Sequence, residues 1–316
     1  MNPFRIATRG SALALAQANM VLAQCRAAFP DESFELNIIK TTGDKLQTAS
    51  LASGNLPKGL FTKEIEEALL DGSGDLAVHS LKDLPTELPA GLMLGAVSTR
   101  ADVRDVLVRR AADTADGQSP IANLPSGATV ATSSTRRRAQ LLHARPDLKI
   151  VEIRGNVGTR LRKLAEQTEL DAIVLAAAGL ERLHFSTAGS TQLSGAEVQA
   201  GLIATPIPVD EMLPCVGQAA LGIEIREDDA RVARIVAALN DPVTQACVTA
   251  ERAFLRGMGG GCQLAVGAVA ELRGGQLRLR AISFLGVNPR LGECSGAMSE
   301  AAMLGHRRNS GPNRSA

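Results

Sequence analysis

Apolar and polar positions alternate from the start of the chain. Phe4 to Thr8 follows the two-residue period of a strand, and Arg9-Gly10-Ser11 leads into SALALAQANMVLAQCRAAF, where Leu15, Val21 and Leu22 sit at helical spacing behind Ser11 as N-cap. Phe34 to Lys40 predicts a second strand and Phe61 to Leu70 a second helix, with Glu64, Glu66 and Glu67 in its early turns and Gly72 past its end. Between them, TGDKLQTASLASGNLPKG has few apolar anchors and reads as a mobile loop of the length used by lids. Asp75 to Ser80 is a third strand, running directly into Leu81-Lys82-Asp83.

The same order recurs further along. Ala128 to Ala131, Ile150 to Ile153 and Ala172 to Leu175 read as strands, separated by the helices TSSTRRRAQLLHA and GTRLRKLAE. Strands alternating with helices predict parallel sheets, and polar residues just after strands lie at the edge where open α/β sheets bind ligands. Two such units imply a cleft between them. Past about Ala220 the pattern changes to helices over Asp228 to Leu239 and Val243 to Arg256, then two alternating strands joined at Gly274-Gly275. The expected architecture is therefore two α/β units and a smaller α+β unit.

Composition narrows the partners. With 34 basic and 33 acidic residues the formal charge is +1, so no global field selects a polyanion. Of the basic residues 27 are Arg and 7 Lys, a bias that a G+C-rich genome would also produce. Trp and Tyr are absent and only 7 Phe occur, which disfavours a surface that stacks on single-stranded nucleic acid. The N-terminus shows no signal-peptide pattern, and no segment reaches the roughly 18 apolar residues of a membrane span. A cytoplasmic, non-membrane protein is the expectation. Cys25, Cys215, Cys247, Cys262 and Cys294 form neither a CxxC knuckle nor a disulfide framework, and no metal site is expected. Walker, GxGxxG, GxSxG and HExxH motifs are absent.

Three constellations carry chemistry. Thr132-Ser133-Ser134-Thr135-Arg136-Arg137-Arg138 gathers hydroxyls, free amide groups and guanidinium groups at one helix start, which suits an anion; helix capping with solvated arginines is the plainer use. Arg154-Gly155-Asn156-Val157-Gly158-Thr159-Arg160 repeats the arrangement, and Arg182 follows the next strand, so a polyanionic ligand such as a polycarboxylate fits. His79-Ser80-Leu81-Lys82-Asp83-Leu84-Pro85 ends a strand with an Asp that can finish it as an ion pair or, in a cleft facing arginines, hold a developing cation. Met258-Gly259-Gly260-Gly261-Cys262-Gln263 presents a thiol on a glycine run, either as a nucleophile or as the attachment point of a prosthetic group. The other four cysteines read as small buried hydrophobes.

The ordered set ATRGSALALAQ, KGLFTKE, HSLKDLPT, TSSTRRRAQL, RGNVGTRL, AAAGLERL, LPCVGQAALGIE and GGGCQLAVG resembles the porphobilinogen deaminases, or hydroxymethylbilane synthases, from about Phe4 to about Ser283. The resemblance implies a transferase of tetrapyrrole (haem) biosynthesis that condenses four porphobilinogen molecules head to tail, releasing ammonia each time. The product, hydroxymethylbilane, would grow on a dipyrromethane primer held by Cys262. It further implies Asp83 as the catalytic residue, with Ser134, Arg136, Arg137, Arg154 and Lys82 holding the cofactor. Arg9, Ser11, Arg160, Arg182 and Lys58 would bind substrate, and the loop with Lys58 and Lys63 would be a lid. The implied fold is two domains like the lobes of periplasmic binding proteins, 1–98 plus 204–220 and 99–203, with a third over 221–316. Crossings near Ser98 to Asp105 and Ala204 to Val216 would make a hinge. A monomer that passes its product to uroporphyrinogen-III synthase is implied. A non-catalytic two-lobed anion-binding protein is the alternative, and a nucleic-acid binder using TSSTRRR a more distant one. One departure stands out: the family's closing amphipathic helix begins at Ser299 to Gly305, but HRRNSGPNRSA follows with only its terminal Ala apolar, so a frayed tail and a weakened third domain are expected.

Overall fold

The strand and helix signals of the first unit fold within a few residues of the expected limits. β1 (Phe4–Arg9), α1 (Ala12–Ala28), β2 (Phe34–Ile39), α2 (Lys63–Leu70), β3 (Leu76–Ser80) and β4 (Leu92–Val97) follow in order. The computed structural model of the chain describes residues 2–42, 62–111, 119–185, 192–195, 201–261 and 263–306. The expected lid with Lys58, the thiol Cys262 and the tail after 306 lie outside the described residues. Lys63, expected in the lid, is instead the first residue of α2, where its ammonium lies 3.8 Å from Glu67 at the exposed i,i+4 position.

The second unit comprises β5 (Asp105–Arg110), β6 (Thr129–Ala131), α3 (Thr135–Ala144), β7 (Lys149–Val151), α4 (Val157–Glu166), β8 (Ala172–Ala176), α5 (Ala177–Arg182) and β9 (Leu202–Pro206). Its sheet runs β7-β6-β8-β5-β9. The first sheet runs β2-β1-β3-β10-β4, where β10 is Leu221–Arg226. The plans are the same, and neither sheet is purely parallel as expected: β10 is antiparallel to β3 and β4, and β5 to β8 and β9. The reason is the double crossing. Strands such as β3 and β8 end at the cleft, whereas β5 and β10 enter their sheets from the cleft, so Asp105 starts opposite Ala176 and Leu221 opposite Ser80.

β10 therefore completes the first sheet, and α6 (Ala230–Ala237) packs Val232, Ile235 and Val236 into that sheet's core with Ile6, Val78 and Ile223. The sequence reading placed these residues in the third unit, because one inserted antiparallel strand carries no pattern that assigns it to a distant sheet. α7 (Pro242–Gly257) starts the separate third core, with Asp241 accepting from Thr244 N at 2.7 Å as N-cap and Pro242 in the first turn. β11 (Val266–Arg273), β12 (Gln276–Ser283) and β13 (Arg290–Gly296) form an antiparallel sheet, the first two joined at Gly274-Gly275 as expected. Both glycines have positive φ, +55° and +79°, the turn that matches strand twist. α8 (Ala301–His306) closes the described chain against α7 through Gly305, where a Cβ would lie 2.3 Å from Ala250 O.

Candidate active site

β3 delivers HSLKD to the cleft. After Ser80 the chain makes one 3-10 turn, Leu81–Asp83, closed by Leu84 N donating to Leu81 O at 3.2 Å, and Pro85 stops it from becoming a helix. Leu81 is the buried anchor, Lys82 is half-buried and Asp83 is exposed. Two supports hold the turn from behind. Gln17 of α1 donates to Ser80 Oγ at 2.8 Å, and His79 Nε2 lies 2.9 Å from Glu224 Oε2, both residues buried.

LPCVGQAALGIE, recognised in the sequence without a role, supplies the third support. Leu81 N donates to Ala220 O at 3.0 Å. Gly217, at φ +70°, presses so closely on the turn that a Cβ would lie 3.3 Å from Lys82 N. Ala219 takes φ +73° without being glycine, a strained position for a side chain.

The second unit contributes cations. Ser134 caps α3, accepting from Arg137 N at 3.4 Å, while Ser133 Oγ donates to Ile153 O at 2.7 Å. Arg136 and Arg137 turn inward and share Asp105: Arg136 Nη1 to Oδ2 at 2.7 Å, Arg137 Nη2 to Oδ1 at 2.7 Å. Burial alone would raise the Asp105 pKa, but the two guanidinium groups hold the carboxyl well below the usual range. Gln218 Nε2 adds a bond to Asp105 Oδ1 at 3.0 Å. Arg160 is half-buried behind the Asn156 cap of α4, and among the described residues its hydrogen bond runs from Nε to Gly155 O at 2.8 Å. Burial and then repulsion from Arg137 lower its pKa, while Asp83 opposes them, which places Arg160 in the electrostatic reach of both units. Lys82 is likewise lowered by burial, with Asp83 raising it and Arg137 lowering it. Lys82, Asp83, Arg137 and Arg160 thus lie within electrostatic reach of one another.

Other expected residues sit apart from that group. Arg154 is exposed and 3.3 Å from Glu152. Arg182, 8% exposed at the end of α5, donates to Ala219 O at 2.5 Å. Ser11 caps α1, accepting from Ala14 N, and Arg9 is half-buried at the end of β1. Of the other cysteines, Cys25 and Cys247 are buried, and burial pushes both thiols up to about 11. Cys215 is half-buried in the cleft cluster; burial raises its pKa while Arg136 and Lys82 pull it down.

Sequence reasoning missed the residues that hold the crossings together. Glu251, fully buried on α7, accepts from both terminal nitrogens of Arg100 (2.7 and 3.0 Å), from Gly217 N and from Ala270 N (2.8 Å each). Arg100 Nε also donates to Gln218 O at 2.9 Å. The signal was available for Glu251: it is an acid on the apolar stripe of Cys247, Val248 and Leu255. Asp105 gave none, since an acid at the first position of a strand is ordinary.

The described residues on either side of position 262 approach both units. Gln263 O accepts from Thr135 Oγ1 at 2.7 Å in the second unit, and a Cβ on Gly260 would sit 3.4 Å from Thr86 Oγ1 in the first. Donors also remain. Among the described residues Arg136 Nε and Arg182 Nε are buried without a hydrogen-bond partner. An anionic group bearing several carboxylates fits this donor set; among the described residues no cluster of His, Cys, Asp and Glu fits a metal.

Comparison with known proteins agrees. Residues 4–234 match the family described as porphobilinogen deaminase, dipyromethane cofactor binding domain, and residues 245–306 match porphobilinogen deaminase, C-terminal domain. The chain is 48% identical over 272 residues, 86% of its length and 80% of the relative's, to a porphobilinogen deaminase of Moorella thermoacetica. It is 50% identical over 287 residues to that of Syntrophotalea carbinolica, covering 86% of this chain and 84% of the relative. Among solved structures, the periplasmic aliphatic sulphonate binding protein SsuA of Escherichia coli aligns with 82% of this chain and 71% of its own at 14% identity and TM-score 0.40, too low to bear on function.

Proposed function

The chain belongs to the porphobilinogen deaminase family, a transferase family with a dipyrromethane cofactor and porphobilinogen as substrate, and from that premise we propose how its own residues perform the reaction. The observation that supports the reading is that Arg160 of the second unit feels both Arg137 and the Asp83 carboxylate of the first, while Gln263, just past the glycine run, accepts from Thr135 of the second unit.

When bound through Cys262, the dipyrromethane supplies the nucleophilic pyrrole carbon that primes condensation. Ser134, Arg136, Arg137, Arg154 and Lys82 hold its acetate and propionate groups. Arg9, Ser11, Arg160, Arg182 and Lys58 bind the carboxylates of incoming porphobilinogen. Arg136 and Arg137 contribute the positive charge that the single Asp105 carboxylate leaves in excess, and Asp105 sets their position. Loss of ammonia from porphobilinogen leaves a cationic methylene-pyrrolenine. Asp83, the exposed carboxylate of the cleft, offsets that charge and accepts from the pyrrole N–H, an interaction stronger in the transition state than in the ground state. Lys82 beside it adds its charge to the group that holds the cofactor carboxylates. Three units, divided near the crossings at 98–104 and 207–220 and again near Asn240, let the cleft widen as the product lengthens. The same reading makes the protein a cytoplasmic monomer that hands its product to uroporphyrinogen-III synthase. Among the described residues no helix is long and apolar enough to cross a membrane.

Intact mass spectrometry tests the attachment: the expected mass exceeds the sequence mass by a two-pyrrole unit, and Cys262→Ser removes the increment. A folded, unmodified wild-type chain would overturn it. Asp83→Ala is expected to keep the increment while turnover falls roughly a hundredfold or more; turnover at the wild-type rate would remove Asp83 from this role.

A further inference from the structure

α7 reaches the cleft with two guanidinium groups one turn apart, and both grip the backbone that follows Asp83. Arg252, 8% exposed, donates from Nη1 to Leu84 O at 3.0 Å and from Nη2 to Pro85 O at 2.6 Å. Arg256, at the surface, donates from Nη2 to Thr86 O at 3.1 Å. These three carbonyls lie beyond the 3-10 turn, outside any strand or helix that would satisfy them. Among the described residues neither arginine forms an ion pair. Burial, followed by repulsion from Arg256, pushes the Arg252 pKa down to about 10. A buried cation whose hydrogen bonds go to carbonyls, with the Glu224 carboxylate attracting it only at longer range, is a costly way to fill space, and an apolar side chain of similar volume would pack more cheaply. What the guanidinium adds is a rigid planar fork that sets two consecutive carbonyls at once.

The same helix end leads into the glycine run before Cys262, and that run returns to Thr86, where a Cβ on Gly260 would meet Thr86 Oγ1 at 3.4 Å. One element therefore grips the backbone beside Asp83 and leads into the glycine run before Cys262. We propose that Arg252, supported by Arg256, is a positioning residue for condensation: by gripping the Leu84 and Pro85 carbonyls it holds the Asp83 carboxylate in register with the thiol-bearing loop. This rests on the reading of Asp83 as the carboxylate that meets the reacting pyrrole. It concerns geometry rather than binding, so its loss falls on kcat more than on KM.

The test compares Arg252→Lys, Arg252→Ala, Arg256→Met and Asp83→Ala in the full chain. For Arg252→Lys the two-pyrrole mass and the melting temperature stay near wild type, KM changes by less than about twofold, and kcat falls about tenfold or more. Amide exchange rises over residues 84 to 88. Added guanidinium ion restores part of the kcat of Arg252→Ala, and ammonium ion does not. A kcat for Arg252→Lys within about twofold of wild type, with unchanged exchange over 84 to 88, overturns the proposal. If the Arg252 variants do not fold, Arg256→Met at the surface decides: faster exchange and lower kcat support the grip, and no change in either overturns it. Wild-type turnover in Asp83→Ala would refute the reading of Asp83 itself. An inactive Asp83→Ala beside a fully active Arg252→Lys would refute only the positioning role.

Discussion

Asp105 shows how one carboxylate organises two buried guanidinium groups. It is fully buried, bonded by Arg136, Arg137 and Gln218, and its negative charge lets two guanidinium groups stay inside the protein. Asp105→Asn would leave both buried without the carboxylate charge they share, so a loss of about 3 kcal/mol or more is expected in denaturant titration. The pH dependence has a definite sign. Because the folded pKa lies below the ordinary 3.8, the stabilisation is complete above that value and is lost as pH falls below it. The wild type is therefore expected to lose stability steeply under acid, and Asp105→Asn to show a shallower loss over the same range. Arg136 and Arg137 were legible in the sequence as cations at a helix start. Their inward turn onto Asp105 was not, since the partner lies about thirty residues earlier and is chosen by the packing of β5 against β8.

Elements carry these residues, and their ends decide what the residues can do. Ser134 and Asn156 cap the helices that present Arg137 and Arg160; the serine cap was readable from the sequence, whereas the second helix was read only from Gly158 and its Asn156 cap was not. α7 was also readable as a helix, yet its task of gripping the backbone after Asp83 was hidden, because bonds from side chain to carbonyl leave no periodic trace. α8 depends on a single close approach. Gly305 lies where any Cβ would strike Ala250 O and Ala253 Cβ at 2.3 and 2.5 Å, so Gly305→Ala must push α8 off α7. The expected cost is about 1–3 kcal/mol, read as a lower melting temperature and earlier proteolysis of the third unit. A melting temperature equal to wild type would show that α8 is already loosely held.

At the scale of the molecule, Glu251 joins what three stretches of chain bring together: Arg100 from the first crossing, Gly217 from the return and Ala270 from the third sheet. Glu251→Gln would leave Arg100 without a counter-charge in a buried site. We expect a loss of roughly 3–5 kcal/mol and a thermal transition that broadens or splits as the third unit uncouples; a single transition at the wild-type temperature would contradict this. The chain's own sequence determined the repeated strand–helix order, the capped arginine helices, the Asp83 turn before Pro85, the Gly274-Gly275 hairpin and the family, because these depend on neighbours within a few residues. Only the tertiary structure decided that β10 and β5 run against their neighbours, that residues 221–237 join the first unit, and that Asp105, Glu251 and Arg252 hold the cleft. Those outcomes come from pairing chain segments 30 to 170 residues apart in a space closed to water, where every buried charge and carbonyl must find a partner that local spacing does not encode.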